Sequence, residues 1–136
     1  MNGYRTDHIG LNVADLDAAV TWYCSALGLA EEFRFGFPEI EFEGVMLISP
    51  AGDRLELLTR PGAGPGLQAK VPVDAALTLG FSHFALRVDD VQAMFAELLA
   101  AGAQERLSPR PGPEGGLPMA FVADPEGNLI ELLSRG

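Results

Sequence analysis

The sequence predicts an α+β fold: one domain, 1–136, built from two tandem β-α-β-β-β modules whose mixed sheets curve. Three observations predict it. The only two histidines, His8 and His83, stand 75 positions apart (83 − 8), and Glu56 and Glu131 share that offset (131 − 56). The neighbourhoods match under the same shift: Asp7-His8-Ile9-Gly10-Leu11-Asn12-Val13-Ala14-Asp15 lies over Ser82-His83-Phe84-Ala85-Leu86-Arg87-Val88-Asp89-Asp90, and Pro50 and Gly52 lie over Pro125 and Gly127. Between the copies, Arg60-Pro61-Gly62-Ala63-Gly64-Pro65-Gly66 is too rich in Pro and Gly for a regular element. The expected division is module 1–60, linker 61–79 and module 80–136.

Each element follows from local pattern. In the first strand, Ile9, Leu11 and Val13 alternate with His8, Gly10 and Asn12, the period of two of a half-buried strand. Phe84, Leu86 and Val88 repeat it. Asp15 then offers a side-chain cap, Leu16, Val20, Tyr23 and Leu27 recur at helical spacing, and Gly28 stops the run. Asp90, Val91, Met94, Phe95, Leu98 and Gly102 form the counterpart. A variable segment and three strand-like runs follow each helix, the second run spanning 44–49 or 119–123 and the last 54–58 or 129–133. Pro50-Ala51-Gly52-Asp53 and Pro125-Glu126-Gly127-Asn128 read as the turns joining these last two runs into hairpins.

Alternation also assigns faces. A helix must cover the apolar side of its sheet, which leaves His8 and His83 on the opposite side. In the last strands Leu55 and Leu57, and Ile130 and Leu132, form the apolar set, so Glu56 and Glu131 also point away from the helices. With the sheets paired into a half-barrel, that face is a concave surface carrying two imidazoles and two carboxylates. Such a donor set, without thiolate, suits one divalent Zn, Ni, Co, Mn or Fe(II) ion. The expected metal ligands are His8, Glu56, His83 and Glu131. Arg54 and Arg87 fall on the same face and are candidates to meet a substrate anion. Residues 31–43 and 108–118 are expected to frame the cavity, with Phe35, Phe37, Met46, Met119 and Phe121 supplying an apolar wall.

Composition narrows the function classes. A net charge of −10 with no basic block argues against nucleic acid and anionic membranes as partners. No apolar run approaches a membrane span and the first residues lack a signal-peptide pattern, so a cytoplasmic protein acting on a small molecule is expected. The single cysteine, Cys24, excludes an intrachain disulfide.

Two stretches carry a family resemblance. Asp7 to Val13, leading through an Asp-capped helix to Trp22-Tyr23-Cys24-Ser25-Ala26-Leu27-Gly28-Leu29, and Asp124-Pro125-Glu126-Gly127-Asn128-Leu129-Ile130-Glu131-Leu132 resemble the opening and closing signatures of the vicinal oxygen chelate superfamily, the glyoxalase, bleomycin-resistance and extradiol-dioxygenase group. The resemblance implies paired modules around a metal that binds two adjacent oxygens of its substrate. The pattern His, Glu, His, Glu is most similar to that of glyoxalase I. It implies a lyase or isomerase that moves a proton next to a carbonyl through a metal-bound enediolate, with Glu131 or Glu56 as the catalytic base and Glu131 preferred. The same resemblance leaves three alternatives: a metal-independent protein that sequesters a drug-like ligand, an epimerase of CoA thioesters, and an extradiol-type dioxygenase. A homodimer is expected, since short modules of this kind often complete their sites by pairing.

Overall fold

In a computed structural model of the protein, residues 2–136 are described, and the chain forms two units, Met1–Gly64 and Pro65–Gly136. The first runs β1 (Ile9–Asn12), α1 (Leu16–Leu27), β2 (Ala30–Phe37), β3 (Phe42–Ile48) and β4 (Arg54–Thr59); the second runs β5 (His83–Arg87), α2 (Val91–Ala100), β6 (Gln104–Pro111), β7 (Pro118–Ala123) and β8 (Leu129–Leu133). The sheet orders are β1-β4-β3-β2 and β5-β8-β7-β6. Each unit is thus the expected β-α-β-β-β module. In both, the first strand lies parallel to the last and every other pairing is antiparallel. That mixed order makes strands distant in sequence into neighbours.

Local chemistry sets the helices. Asp15 and Asp90 hold extended backbone, and their side chains accept from the amides of Ala18 and Ala93 at 3.0 Å, satisfying donors that a helix start leaves open. Gly28, at φ 66°, ends α1 in the left-handed conformation that a side chain disfavours. Leu16, Ala19, Val20 and Tyr23 are the buried side of α1, and Val91, Phe95 and Leu98 that of α2. They cover Val45, Leu47, Leu55 and Leu57 in the first unit and Ala120, Val122, Ile130 and Leu132 in the second. Each fully buried leucine of this set contributes roughly 1.5–3 kcal/mol. The opposite face of each sheet is left for chemistry.

The turns behave as their residues dictate. Gly52 and Gly127, at φ 95° and 92°, donate from their amides to Ser49 O and Asp124 O at 2.9 Å. Asp124, only 1% exposed, accepts from the amides of Glu126 and Asn128 and from Asn128 Nδ2, each at 2.9 Å. This buried carboxylate fixes the β7–β8 turn and hence the register that aims Glu131.

Three segments differ from expectation in detail. Most of 31–43 is strand: all eight residues of β2 are exposed, so no buried alternation marks it in the sequence, although it pairs with β3 along its length with an irregularity between Glu31 and Phe33. Likewise β6 reaches into 108–118, interrupted between Leu107 and Arg110, where Pro109 cannot donate to a ladder. Within 61–79, Pro72–Leu77 form a 3-10 helix, and Ala75 is buried with Phe121 and Leu129. Among the described residues no helix is long and apolar enough to cross a membrane.

Candidate metal centre

Register puts the expected ligands on the helix-free faces. In the first sheet Gly10 pairs with Glu56, Glu56 with Met46, and Met46 with Phe33, so these residues and His8, two before Gly10, share one side. In the second, Ala85 pairs with Glu131, Glu131 with Phe121, and Phe121 with Leu107, and His83 stands two before Ala85. The parallel pairing of first and last strands sets each histidine beside its own module's glutamate.

The two pairs are alike in plan and different in one partner. In the first unit His8 Nε2 lies 3.5 Å from Glu56 Oε1, and His8 Nδ1 donates to Asp7 Oδ2 at 2.8 Å. In the second, His83 Nε2 donates to Glu131 Oε2 at 3.0 Å, and Ser82 Oγ donates to His83 Nδ1 at 2.7 Å. Asp7 and Ser82 are the residues immediately before the histidines and occupy the same place in the repeat. A carboxylate can only accept, so Asp7 holds the proton on Nδ1 and leaves the Nε2 lone pair of a neutral His8 free for a metal. A hydroxyl can reverse its role, so Ser82 serves either tautomer of His83.

Electrostatics follow the same contacts. Hydrogen bonding to Asp7 raises the His8 pKa above the ordinary histidine value, with the Glu56 charge adding to it, and His8 in turn holds the Asp7 carboxyl below its usual range. The Glu56 and Glu131 side chains are 18% and 16% exposed, sheltered enough to keep their oxygens near the imidazoles yet reachable from solvent. Gly10 makes room for one of them: a Cβ there would stand 3.3 Å from Glu56 Oε1. Ala85 fills the equivalent place in the second unit.

The remaining expected residues divide. Arg54 lies beside this group, but its guanidinium holds Glu32 through Nε at 3.0 Å and Nη2 at 2.8 Å, and Arg34 holds Glu31 and Asp17. Arg87 is exposed at the end of β5. The apolar wall is present in both units. Phe35 lies over Gly44, where a Cβ would clash with its ring, and Phe33, Phe35, Phe42 and Phe37 form a chain of ring contacts. Cys24 is half-buried on α1, away from the ligand face, with burial pushing its thiol up.

The donor chemistry fits a divalent ion: each unit offers one imidazole nitrogen and one carboxylate, with the far side of each ring held in place. Among the described residues no three His, Cys, Asp or Glu side chains form one metal-holding group; each unit carries one two-residue His-Glu pair. Asp7 and Ser82 were not anticipated as partners of the rings. Their signal in the sequence is position alone, a polar residue directly before each histidine.

Two β-α-β-β-β modules in tandem, each carrying a His-Glu pair on its helix-free face, define the class to which the protein belongs. The chain belongs to the Glyoxalase/Bleomycin resistance protein/Dioxygenase superfamily, whose model matches residues 5–132. It is 30% identical over 140 residues to a probable lactoylglutathione lyase of Vibrio parahaemolyticus, covering 99% of this chain and 94% of that one. It is 29% identical over 137 residues to the lactoylglutathione lyase of Oryza sativa subsp. japonica, covering 97% of this chain but 44% of the relative. The chain spans less than half the length of the curated plant relatives it matches. Among solved structures, glyoxalase I from Zea mays superposes with a TM-score of 0.76 at 25% identity, covering 97% of this chain and 45% of that one. The trypanothione-dependent glyoxalase I of Leishmania major superposes at 0.71 with 27% identity, covering 97% and 87%.

Proposed function

We propose that the protein is a divalent-metal-dependent lyase or isomerase of the glyoxalase type, moving a proton next to a carbonyl on a small oxygenated substrate, with His8, Glu56, His83 and Glu131 as the metal ligands. The observation that carries this reading is the repeated His-Glu pair, Nε2 to carboxylate at 3.5 Å in one unit and 3.0 Å in the other, with Nδ1 tied back in both. Relatives named lactoylglutathione lyase support the same class. A bound Zn, Ni, Co, Mn or Fe(II) ion would supply positive charge beside the substrate's adjacent oxygens, stabilising the negative charge that develops as the carbon is deprotonated.

The chain's own residues do the rest. Glu131 takes the proton from the carbon next to the carbonyl and returns it to the neighbouring carbon, a task suited to a carboxylate that is sheltered yet reachable from solvent. Glu56 holds the equivalent place in the other module and remains a ligand. Asp7 keeps the His8 ring in the tautomer that presents Nε2, and Ser82 holds the His83 ring in orientation. Buried Met46 beside Glu56 and buried Phe121 beside Glu131 restrict water at the two carboxylates.

A homodimer is part of this proposal, supported by Leu77, Leu79 and Phe81, which are 85%, 99% and 102% exposed within five residues, an apolar cluster of the kind that marks an association surface. Sedimentation velocity tests it, with a two-chain mass expected.

The test of the activity is metal content by elemental mass spectrometry, beside a Glu56→Ala, Glu131→Ala double variant, followed by turnover of 2-oxoaldehyde thiol adducts in deuterium oxide. Stoichiometric metal lost in the variant, and a product that keeps the substrate's own hydrogen with only partial exchange for solvent deuterium, are expected. A protein that neither holds nor takes up metal overturns the proposal.

A further inference from the structure

The two His-Glu pairs differ in a way that access to solvent does not explain. The His8 and His83 side chains are 35% and 31% exposed, and those of Glu56 and Glu131 are 18% and 16%. What differs is the hydrogen bonding around each ring. Asp7 accepts from His8 Nδ1 at 2.8 Å, so the neutral ring carries its proton there and turns the bare lone pair of Nε2 towards Glu56 Oε1, 3.5 Å away. Two electron-rich atoms face each other, an arrangement that a cation between them satisfies.

The second pair satisfies itself. A carboxylate only accepts, so the 3.0 Å contact between His83 Nε2 and Glu131 Oε2 places the ring proton on Nε2, and Ser82 Oγ donates to Nδ1 at 2.7 Å. The metal-binding nitrogen is taken by a proton, and the carboxylate by that proton's hydrogen bond. Before either can meet a metal, the proton has to move to Nδ1 and the Ser82 hydroxyl has to turn from donor to acceptor. The Phe121 ring stands edge-on to the imidazole, with centroids 5.0 Å apart and planes at 78°, so the plane of His83 is held in either state. Only the position of the proton is free.

The residues facing the carboxylates repeat the difference. Gly10 pairs with Glu56 and leaves room in which that carboxylate can shift towards a ligand. Ala85 pairs with Glu131 and puts a methyl in the equivalent place, which narrows the room.

We propose that the two half-sites act in a fixed order set by Asp7 and Ser82: the His8–Glu56 pair takes a divalent ion first and more tightly, and the His83–Glu131 pair, latched on itself beside Ser82, closes on it second. Asp7 and Ser82 are positioning residues, acting through the rings they hold. This order presupposes the metal role proposed above for the four side chains and adds which half acts first and which residues decide it. A carboxylate behind a metal-bound imidazole also raises the basicity of the ring, an effect worth about 10 to 100-fold in metal affinity. His8 has such a carboxylate on Nδ1, and His83 has a hydroxyl.

The chain has two histidines, so ring ¹⁵N NMR of the metal-free full chain at about pH 8.5, well above the ordinary histidine value, reads each tautomer separately. Calorimetric titration of the same preparations with Zn²⁺ reads affinity. In the wild type His8 should carry its proton on Nδ1 and His83 on Nε2. Asp7→Ser should lower Zn²⁺ affinity about 10 to 100-fold. Ser82→Asp should move the His83 proton to Nδ1 and raise affinity about tenfold, and the double exchange should return affinity to the wild-type range. His83→Ala, which keeps the first pair, should hold Zn²⁺ about tenfold or more tighter than His8→Ala, which keeps the second. A wild type that takes up no Zn²⁺ overturns the metal reading itself. Uptake by the wild type overturns the order alone, and leaves that reading intact, in any of three cases: His83→Ala binds no better than His8→Ala, with loss in both included; affinity is indifferent to Asp7→Ser; or His83 keeps its proton on Nε2 in Ser82→Asp.

Discussion

His8 and Asp7 are joined by a 2.8 Å hydrogen bond from the ring Nδ1 to a carboxylate oxygen, whereas His83, at the same point of the repeat, is met on its Nδ1 by the hydroxyl of Ser82. The module is duplicated, but the control of its imidazole is not. One ring is held by a group that can only accept, the other by a group that can give or take.

A pH dependence follows for the first ring. Because Asp7 raises the His8 pKa, protonated His8 contributes stability that is fully present below the unfolded value near 6.5 and is lost as pH rises through the higher folded value. Protons compete with metal for Nε2, so metal affinity should rise with pH across the same interval. In Asp7→Asn, NMR titration of the metal-free protein should place the His8 midpoint lower, and the rise in metal affinity should begin at a lower pH. An unmoved midpoint would remove Asp7 from this role.

Glu131→Gln keeps the shape of the side chain and removes the proposed base. Turnover should fall by about 10² to 10⁴-fold while the thermal midpoint of the metal-free protein stays close to wild type. A variant retaining most of its turnover would shift the role of base to Glu56, which the matching Glu56→Gln variant then tests.

The space beside Glu56 is set by Gly10. Gly10→Ala should be accommodated by a small movement of the carboxylate, as Ala85 already shows beside Glu131. Gly10→Val carries its methyls into the Glu56 position and should lower metal affinity by about tenfold or more, the scale on which displaced ligand support acts. Isothermal titration with metal separates the two substitutions.

Gly44→Ala drives the Phe35 ring off the sheet, since the added Cβ would clash with it. The ring is 37% exposed and can swing away, so the cost should be about 1–2 kcal/mol. In Phe35→Ala the same glycine substitution should cost much less. Urea denaturation of the four proteins in that cycle reads the coupling directly.

Asp124 is the strongest structural position among the turns. Asp124→Ala leaves the Glu126 and Asn128 amides without their shared acceptor and should destabilise the protein by roughly 2–3 kcal/mol. Denaturant unfolding measures it; a loss under half a kcal/mol, on the order of an exposed substitution, would show that water replaces the carboxylate fully.

The repeat was legible because it is written in residue types: two histidines, two strand glutamates, two helix-capping aspartates and two turn glycines at one offset. Strand faces were legible where burial alternates, as in Leu55, Glu56 and Leu57. The bounds of β2, the first of the three strand runs expected after α1, were hidden because its residues are exposed on both sides and its pairing with β3 leaves no mark on composition. The place of Val71 to Val73 was hidden for a different reason. A Pro- and Gly-rich approach reads as linker, and only the burial of Ala75 against Phe121 shows that the segment is part of the second unit. The helix-free faces of His8, Glu56, His83 and Glu131 were each given by alternation, while the groups that steer the rings depend on contacts that a period of two does not encode.

The parallel pairing of first and last strands bears on the order of events in folding. His83 and Glu131 are 48 residues apart in sequence, and a slip of one residue between β5 and β8 would send Glu131 to the helix side. No hairpin or isolated helix formed early can present both side chains, so a metal ion held as proposed would find its partners only after the long-range strand pairing of each module is in place. Under the proposed function, such an ion would act as a seal on finished modules and have nothing to grip in unfinished ones.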